Sequence, residues 1–316
     1  MLSYDWLKIV GLVVAVIIFW NLIFTMTATK ITSSQQFTVF NHEANYSFSE
    51  DFYDDLSDTI QSGDVFSYEV IEQSTNDLTI AGDYISTMYT SRLGSGEGDL
   101  IFVPKVDDKN TAYEENGETK YTADYLQSFL KNYRAYLFNL DPDEKGGYFY
   151  ELKNYLNGYY TDYKNAETID KAKIERDFIA RAKANKDKRF RTEEKLALGA
   201  KQEIERIEKY RAALVKLEGF LARGIVQFEE VEAQSGDYHF KGKFALNICP
   251  NEESMGELKK YAAYAETTVD ASGKTTTRKT AKNMCVMLFD LKETQESFEY
   301  ESLLYLVHII EECVAA

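Results

Sequence analysis

Residues 91–104 read SRLGSGEGDLIFVP, and this stretch decides the fold class of the chain. The polar end of a helical segment passes through a glycine-rich turn at 94–98 into the apolar run 100–103, which Pro104 closes. A short apolar run between turn residues is typical of a strand. The stretch therefore predicts a helix that ends near Gly94 and a strand over 99–103.

The residues before this stretch alternate between strand and helix patterns. Two β-branched and aromatic runs, 37–40 and 65–71, predict strands. Between them, apolar residues at four-residue spacing predict an amphipathic helix that Gly63 ends. Its apolar positions are Phe52, Leu56 and Ile60, and a capping-box pattern runs from Ser47 to Glu50. A second helix is expected from Asn76 to Gly94. The order β-α-β-α-β predicts an α/β fold in which 37–40, 65–71 and 99–103 form one parallel sheet with right-handed crossovers.

The middle of the chain is predicted to be helical. Residues 121–160 are rich in aromatic side chains, and residues 169–223 are long and charged with a narrow apolar stripe. The stripe is Ile207, Tyr210, Leu214, Leu217 and Leu221. Residues 171–223 carry 16 Lys or Arg and 9 Asp or Glu, which gives +7 and leaves −23 for the rest of a chain of net charge −16. The basic run 183–191 is most often a solvated surface; contact with a membrane surface or a partner is the other interpretation.

Strand patterns return after Gly224. Runs at 225–228, 238–248 and 284–289 predict strands, and the segments 255–266 and 298–313 predict helices. Residues 270–273 read as a turn.

The amino terminus carries the longest apolar run. Residues 9–24, IVGLVVAVIIFWNLIF, contain a single strongly polar residue, Asn21, and Trp6 and Trp20 are of the kind found at membrane interfaces. A cleaved signal peptide is the alternative, but the run exceeds the usual length and no A-x-A site follows. We therefore expect a transmembrane anchor with a cytoplasmic amino terminus and an extracytoplasmic domain.

Composition and motifs exclude several function classes. A net charge of −16 argues against a general nucleic-acid binder. Cys249, Cys285 and Cys313 fit no zinc spacing, although Cys249 and Cys285 could pair. The three histidines are isolated, no H-E-x-x-H or G-x-S-x-G motif occurs, and the glycine turn at 94–98 has the reverse order of a dinucleotide fingerprint. No catalytic residue, metal ligand or cofactor is therefore predicted.

Four stretches carry a resemblance to a known family. Residues 91–104 are similar to the helix, glycine-rich turn and Asp-led strand of carbohydrate-type extracytoplasmic solute-binding proteins of ABC importers, which have the type II periplasmic-binding fold. KFALNIC at 243–249, AKNMCVMLFDL at 281–291 and FEYESLLYLVHII at 298–310 resemble the segments that complete that lobe. The resemblance implies two α/β lobes that close around a ligand. The chain departs from the family in its helix anchor, its charged helical middle and its lack of Trp after Trp20.

The expected organisation has four parts. They are an anchor and linker at 1–32, the first part of an α/β lobe at 33–110, a helical middle segment at 111–224 and the completing part of the lobe at 225–316. In an open parallel sheet, ligands bind beyond the carboxyl ends of the strands, at the switch in strand order. This rule and the resemblance together predict a crevice with Asn41, Glu43, Tyr46 and Lys105 on one wall. Tyr155 and Tyr159 are expected on the opposite wall, unless these rings only pack the helices together.

Two functions of different classes follow from the resemblance. The first is a membrane-anchored receptor for a small polar solute such as a sugar, working with ABC permease subunits and without enzymatic activity. The alternative is a non-enzymatic structural or accessory protein that uses a degenerate binding-protein lobe to bind a partner. A single lobe, or a filled space between lobes, favours the alternative.

Overall fold

The computed structural model describes residues 2–27, 36–42, 49–67, 72–77, 84–105, 112–115, 118–121, 125–186, 188–235, 238–269, 273–291 and 300–314. The chain divides into two compact units, Met1–Thr32 and Ser33–Ala316. The described part of the first unit is one helix, α1 (Leu2–Thr27). The second unit contains the sheet and the remaining helices, and we call it the α/β domain.

Helix α1 covers the apolar run at the amino terminus without a break. Its large side chains are exposed along the helix, with 68% exposure at Leu12 and 69% at Trp20. Within the described residues, no helix combines the length and the apolarity that crossing a membrane requires. The uninterrupted run at 9–24 has 16 residues, which rise about 24 Å against a hydrocarbon core of about 30 Å.

The described helices and strands of the α/β domain follow in chain order. The helices are α2 (Glu50–Ser62), α3 (Ile85–Gly94), α4 (Tyr125–Tyr133), α5 (Tyr148–Asn157), α6 (Lys171–Ala184), α7 (Glu193–Ala222) and α8 (Glu301–Cys313). The strands are β1 (Gln36–Asn41), β2 (Glu72–Asp77), β3 (Leu100–Pro104), β4 (Ala112–Glu115), β5 (Glu118–Tyr121), β6 (Gln227–Ser235), β7 (Tyr238–Asn247), β8 (Tyr264–Val269), β9 (Thr275–Thr280) and β10 (Met284–Leu288).

Six of the described strands form one sheet in the order β2-β1-β3-β10-β7-β6. Strand β1 pairs in parallel with β2 on one side and with β3 on the other, which confirms a parallel unit with the first strand between its neighbours. The predicted position of the second strand is wrong, because residues 72–77 pair with β1 whereas 65–67 do not form a strand and 68–71 lie outside the described residues. Strand β2 is at the edge of the sheet, where backbone pairing does not require an apolar sequence, and its sequence is EQSTND.

The other half of the sheet is antiparallel. Strand β10 pairs antiparallel with both β3 and β7, and β7 forms a hairpin with β6. The α/β class is confirmed, but the predicted parallel sheet is a mixed one. Strand direction does not show in an apolar pattern, because a buried strand looks the same in either direction.

Three further predictions need correction. The helix expected from Asn76 begins at Ile85, because Asn76 pairs with Phe40 in the sheet. Helix α2 is capped by Ser49, whose side chain accepts a hydrogen bond from the Phe52 N–H; Ser47 lies outside the described residues. The helix expected at 255–266 is a single 3-10 turn, Gly256–Lys260, followed by the β8–β9 hairpin.

The helical middle is confirmed in outline. Helices α4 to α7 fill most of the segment 111–224, but its first part forms the antiparallel pair β4–β5 where a helical segment was predicted. The apolar stripe of α7 faces the interior, with four of its five members buried and Leu221 packed against the core. Helices α2, α5, α7 and α8 contribute to the core on one face of the sheet, with Phe37 and Val39. Helices α3 and α4 contribute to the core on the other, with Phe40 and Ile101.

The glycine-rich turn brings α3 close to the sheet. Gly98 has φ +141°, and a Cβ there would stand 3.0 Å from both the Phe289 and the Phe40 rings, so a larger residue does not fit. The next residue, Asp99, is 4% exposed and its Oδ2 accepts the Thr38 N–H at 2.7 Å. Burial raises the pKa of the Asp99 carboxyl to about 8, so it is protonated at neutral pH.

Candidate functional site

Five strands bring polar side chains to one edge of the sheet, here the edge that the ends of the strands form and not the edge strand β2. This edge contains the carboxyl ends of the parallel strands β1 and β3, and antiparallel pairing places the end of β7 and the starts of β10 and β6 beside them. The residues at these strand ends are Asn41, Lys105, Asn247, Asn283, Gln227 and Glu229. We call this group the edge cluster.

Glu229 is the centre of the hydrogen bonding in the edge cluster. Its Oε2 lies 2.6 Å from Lys105 Nζ, and its Oε1 accepts hydrogen bonds from Asn247 at 2.9 Å and from Gln227 at 3.0 Å. Glu229 is 6% exposed and Asn247 is fully buried. Burial acts to raise the pKa of Glu229, but the donors, Lys105 foremost, outweigh it and lower the pKa. The carboxylate is therefore charged at neutral pH, and its lone pairs are engaged by side chains of the same domain.

Asn283 holds the loop that joins the cluster to β10. Its backbone has φ +56°, a left-handed conformation that Asn tolerates better than most residues. Its carbonyl oxygen accepts the Lys105 N–H at 2.9 Å, and its side-chain oxygen accepts from Asn247 at 3.3 Å. The loop thereby ties the end of β3 to the start of β10 and positions Lys105.

Asn41 and His42 lie at the same edge but are inside the protein. Asn41 is fully buried opposite Phe102, so Lys105 is three residues farther along the neighbouring strand, about 10 Å. His42 is 5% exposed, and its ring packs against Tyr125 and Phe129. Burial lowers the pKa of His42 to about 4, so the ring is neutral at physiological pH.

The tyrosines expected on the opposite wall pack within the helical layer. Tyr155 donates a hydrogen bond to Glu203 at 3.4 Å, and its ring lies 5.3 Å from that of Tyr159 and 5.6 Å from that of Tyr300. Tyr159 donates to Asp177 at 3.3 Å, and the Lys173 ammonium lies 5.2 Å above its ring. Of the predicted site residues, the structure thus places Asn41 and Lys105 at the sheet edge and the two tyrosines among helices. Glu43 and Tyr46 lie outside the described residues.

Sequence reasoning missed the acidic partner of Lys105. Glu229, Asn247 and Asn283 stand at the ends of three strands that were expected from the sequence. Their position in the strands could have identified them, because a strand that runs antiparallel to a parallel pair begins beside the carboxyl ends of that pair. Without the strand directions, that position cannot be assigned.

A second polar site lies where α2 and α8 meet. It is a pocket of about 590 Å³ lined by Asp55, Asp58, Thr59, Gln61, Ser62, Asp64, Val65 and His308. His308 Nε2 lies 2.9 Å from Asp55 Oδ1, and this hydrogen bond raises the pKa of the imidazole despite its burial. Three carboxylates, Asp55, Asp58 and Asp64, make the pocket an environment for cationic rather than anionic groups.

Neither site has the arrangement of a metal centre or of a reacting nucleophile. Within the described ranges, no group of His, Cys, Asp and Glu is placed to hold a metal ion. The three cysteines are free and buried, and burial raises the pKa of the Cys249 and Cys313 thiols to about 12, which keeps them protonated. The polar side chains of both sites make hydrogen bonds and ion pairs with one another.

Comparison of the chain with protein families, with curated proteins and with solved structures gives no match.

Proposed function

We propose that this protein is a non-enzymatic accessory protein, attached to a membrane by α1, whose α/β domain binds a protein partner. The observation that carries the proposal is the edge cluster. Lys105 and Glu229 bond to each other at 2.6 Å, and Asn247 completes the carboxylate's contacts from a fully buried position. In a solute receptor, the polar groups at this edge exchange water for solute. Here they bond to one another and stabilise a single lobe.

The sheet arrangement supports the same proposal. The carboxyl-terminal strands join the sheet of the first strands, and the helical middle contributes to the core on both of its faces. In the described part of the domain, no second large sheet faces the first one across a cleft. The described residues thus offer one large sheet, whereas a receptor of the periplasmic-binding type closes two α/β walls around its ligand.

Membrane attachment is supported by the surface of α1. The helix exposes apolar side chains along its length, including Leu12 at 68%, Phe19 at 66% and Trp20 at 69%. An apolar helix of this kind is stable when lipid or protein covers it. A bilayer can thin locally around a short apolar run, which allows residues 9–24 to insert. As part of this proposal, the amino terminus is cytoplasmic and the α/β domain is extracytoplasmic.

The experiment that tests the accessory role is a thermal-shift screen of the full chain in detergent. Monosaccharides, oligosaccharides and amino acids are added singly, and we expect none of them to raise Tm. A receptor would gain about 2.7 kcal/mol of stability at a hundredfold excess over Kd. Such a gain in stability, if Lys105→Met abolishes it and the matched variant Lys145→Met keeps it, would overturn the accessory role. The solute-receptor function would then be the better explanation. Lys145 is an exposed lysine outside the edge cluster.

A bound partner in the native membrane should be detectable as added stability of the α/β domain. A partner that binds the folded domain stabilises it by mass action. We therefore expect the α/β domain to resist pulse proteolysis in urea better in its native membranes than after purification and reconstitution in the same lipids. Equal resistance in the two preparations would count against a bound partner.

A second candidate function rests on the pocket between α2 and α8. Its volume of about 590 Å³ lies within the range of about 300–1,000 Å³ of small-molecule sites. In this candidate function, the protein is a solute receptor whose binding site is this pocket and not the edge cluster, and a small cationic solute pairs with Asp58 and Asp64. A thermal shift with a polyamine or a basic amino acid, abolished by Asp58→Asn with Asp64→Asn and unaffected by Lys105→Met, would favour it over the accessory role.

A further inference from the structure

The hairpin of α6 and α7 has a small core of its own at its far end. Phe178, Ala182 and Ala200 are buried together in a cluster separate from the two that cover the sheet. Gly199 allows the close packing, because a Cβ there would stand 2.5 Å from the Phe190 ring and 2.6 Å from the Phe178 ring. The end of the hairpin is therefore a packed element that can hold its surface side chains in place.

The surface of this end is basic in an acidic protein. Residues 183–195, which we call the basic tip, contain six Lys or Arg and three Asp or Glu in a chain of net charge −16. Its cations Lys183, Lys186, Arg191 and Lys195 are exposed. Two of its acids, Glu193 and Glu194, occupy the first turn of α7, which Thr192 caps by accepting the Lys195 N–H. The helix dipole stabilises negative charge at that position, so these acids have a structural role.

An exposed aliphatic side chain accompanies the cations. Leu198 is 53% exposed on the first turns of α7, just after the basic tip. The cations occur on both sides of the turn, with Lys183 in the last turn of α6 and Lys195 in the first turn of α7. Cations spread around the end of a hairpin, with an apolar side chain beside them, suit a broad anionic surface better than a narrow anionic peptide.

We propose that the basic tip binds the anionic headgroups at the surface of a lipid bilayer. The inference rests on the membrane attachment proposed for α1, because a tethered domain meets that surface at high effective concentration. Each Lys or Arg near an anionic surface strengthens its attraction by a factor of about five. The attraction weakens with salt, since it acts over about one Debye length.

The experiment places a fluorophore on the tip of the full chain. Asn185→Cys gives an exposed cysteine at the end of α6, whereas Cys249, Cys285 and Cys313 are buried. The labelled protein is reconstituted into vesicles of phosphatidylcholine alone, or with roughly a third of phosphatidylglycerol. A nitroxide on a lipid headgroup then quenches the fluorophore in proportion to its approach. The tip variant is Lys183→Glu with Lys186→Glu and Arg191→Glu, and the control is Lys145→Glu with Lys259→Glu and Lys282→Glu, which changes the same number of exposed charges elsewhere.

We expect quenching in vesicles that contain phosphatidylglycerol, weaker quenching in high salt, and loss of the effect in the tip variant but not in the control. A label that is never quenched in incorporated protein would overturn the inference and leave the attachment by α1 standing. If the chain does not incorporate into vesicles, the proposed attachment by α1 is wrong. Vesicles are then added to the labelled protein, and the same quenching measurement tests lipid binding by the basic tip separately. Quenching equal in both lipids, or protection of the label by polyglutamate with no lipid response, would assign the tip to another ligand.

Discussion

Replacing Arg206 by Met removes the cation from a buried charge network that joins α7 to α8. The Arg206 side chain is 6% exposed and that of Glu301 is 1% exposed. Arg206 bonds to the two oxygens of Glu301 at 2.6 and 3.0 Å and to Glu203 at 3.2 Å. Met occupies much of the same volume but leaves the Glu301 carboxylate buried with the Tyr210 hydroxyl, at 2.7 Å, as its remaining side-chain donor among these contacts.

The expected loss follows from the burial of both partners. Removing one partner of a buried ion pair costs about 3–5 kcal/mol, because the other charge is left uncompensated. At about 2–4 °C per kcal/mol for a large domain, Tm should fall by roughly 6–20 °C. Urea unfolding followed by circular dichroism gives the free energy directly. The control is Arg176→Met, an exposed arginine on α6, for which we expect a change within about 0.5 kcal/mol.

A second variant separates the ion pair from simple loss of packing. Arg206→Met combined with Glu301→Leu removes the uncompensated charge, so the double variant should be more stable than Arg206→Met alone. If Arg206→Met costs no more than the control, or if the double variant is the less stable one, the network does not hold α7 against α8 in the way described.

Two other predictions concern backbone packing and pH. Gly199→Ala should destabilise the protein by about 1–3 kcal/mol, because the added Cβ meets two aromatic rings. Gly219→Ala lies in the same helix with nothing within 4 Å of the added Cβ, so it should stabilise the protein by about 0.5–1 kcal/mol. Urea unfolding measures both changes in free energy, and changes of the same sign would contradict the described packing around Gly199. The pKa of His308 is raised in the folded protein by its hydrogen bond to Asp55, with Glu311, Glu312 and the pocket acids Asp58 and Asp64 as the other charges near it. The stabilisation is therefore complete below the ordinary pKa of 6.5 and is lost as pH rises through the raised value. His308→Asn should flatten the stability profile above the ordinary pKa of 6.5, and an unchanged profile would exclude the His308–Asp55 pair as its cause.

The order of elements could be predicted where apolar periodicity is strong. The helices α2, α6, α7 and α8 show apolar residues at helical spacing, and the strands β1, β3, β7 and β10 are short β-branched, aromatic or apolar runs. Strand β2 could not be found in this way, because an edge strand pairs through its backbone and its sequence EQSTND has no apolar face. The preceding run 65–71 has the stronger pattern, and Phe66 in it is buried in the core without being part of a strand.

The site could be predicted only in part. Lys105 lies at the carboxyl ends of the parallel strands, where the switch-point rule predicted it, because the rule depends on those strands alone. It could not identify Glu229, which comes from a strand far along the chain that runs in the opposite direction. The position of Tyr155 and Tyr159 depends on how α5 packs against α6 and α7, and a run of tyrosines is compatible with either a wall of a crevice or a helix contact.

Alkaline carbonate extraction of membranes that contain the full chain tests membrane attachment by α1 most directly. We expect the protein to stay in the membrane pellet, and we expect Val13→Lys with Val16→Lys, which charges two exposed positions of α1, to release it to the supernatant. The matched variant Lys145→Met with Lys282→Met, which changes two exposed lysines of the α/β domain, should remain in the pellet. Extraction of the unaltered chain into the supernatant would contradict membrane attachment by α1 and with it the proposed role.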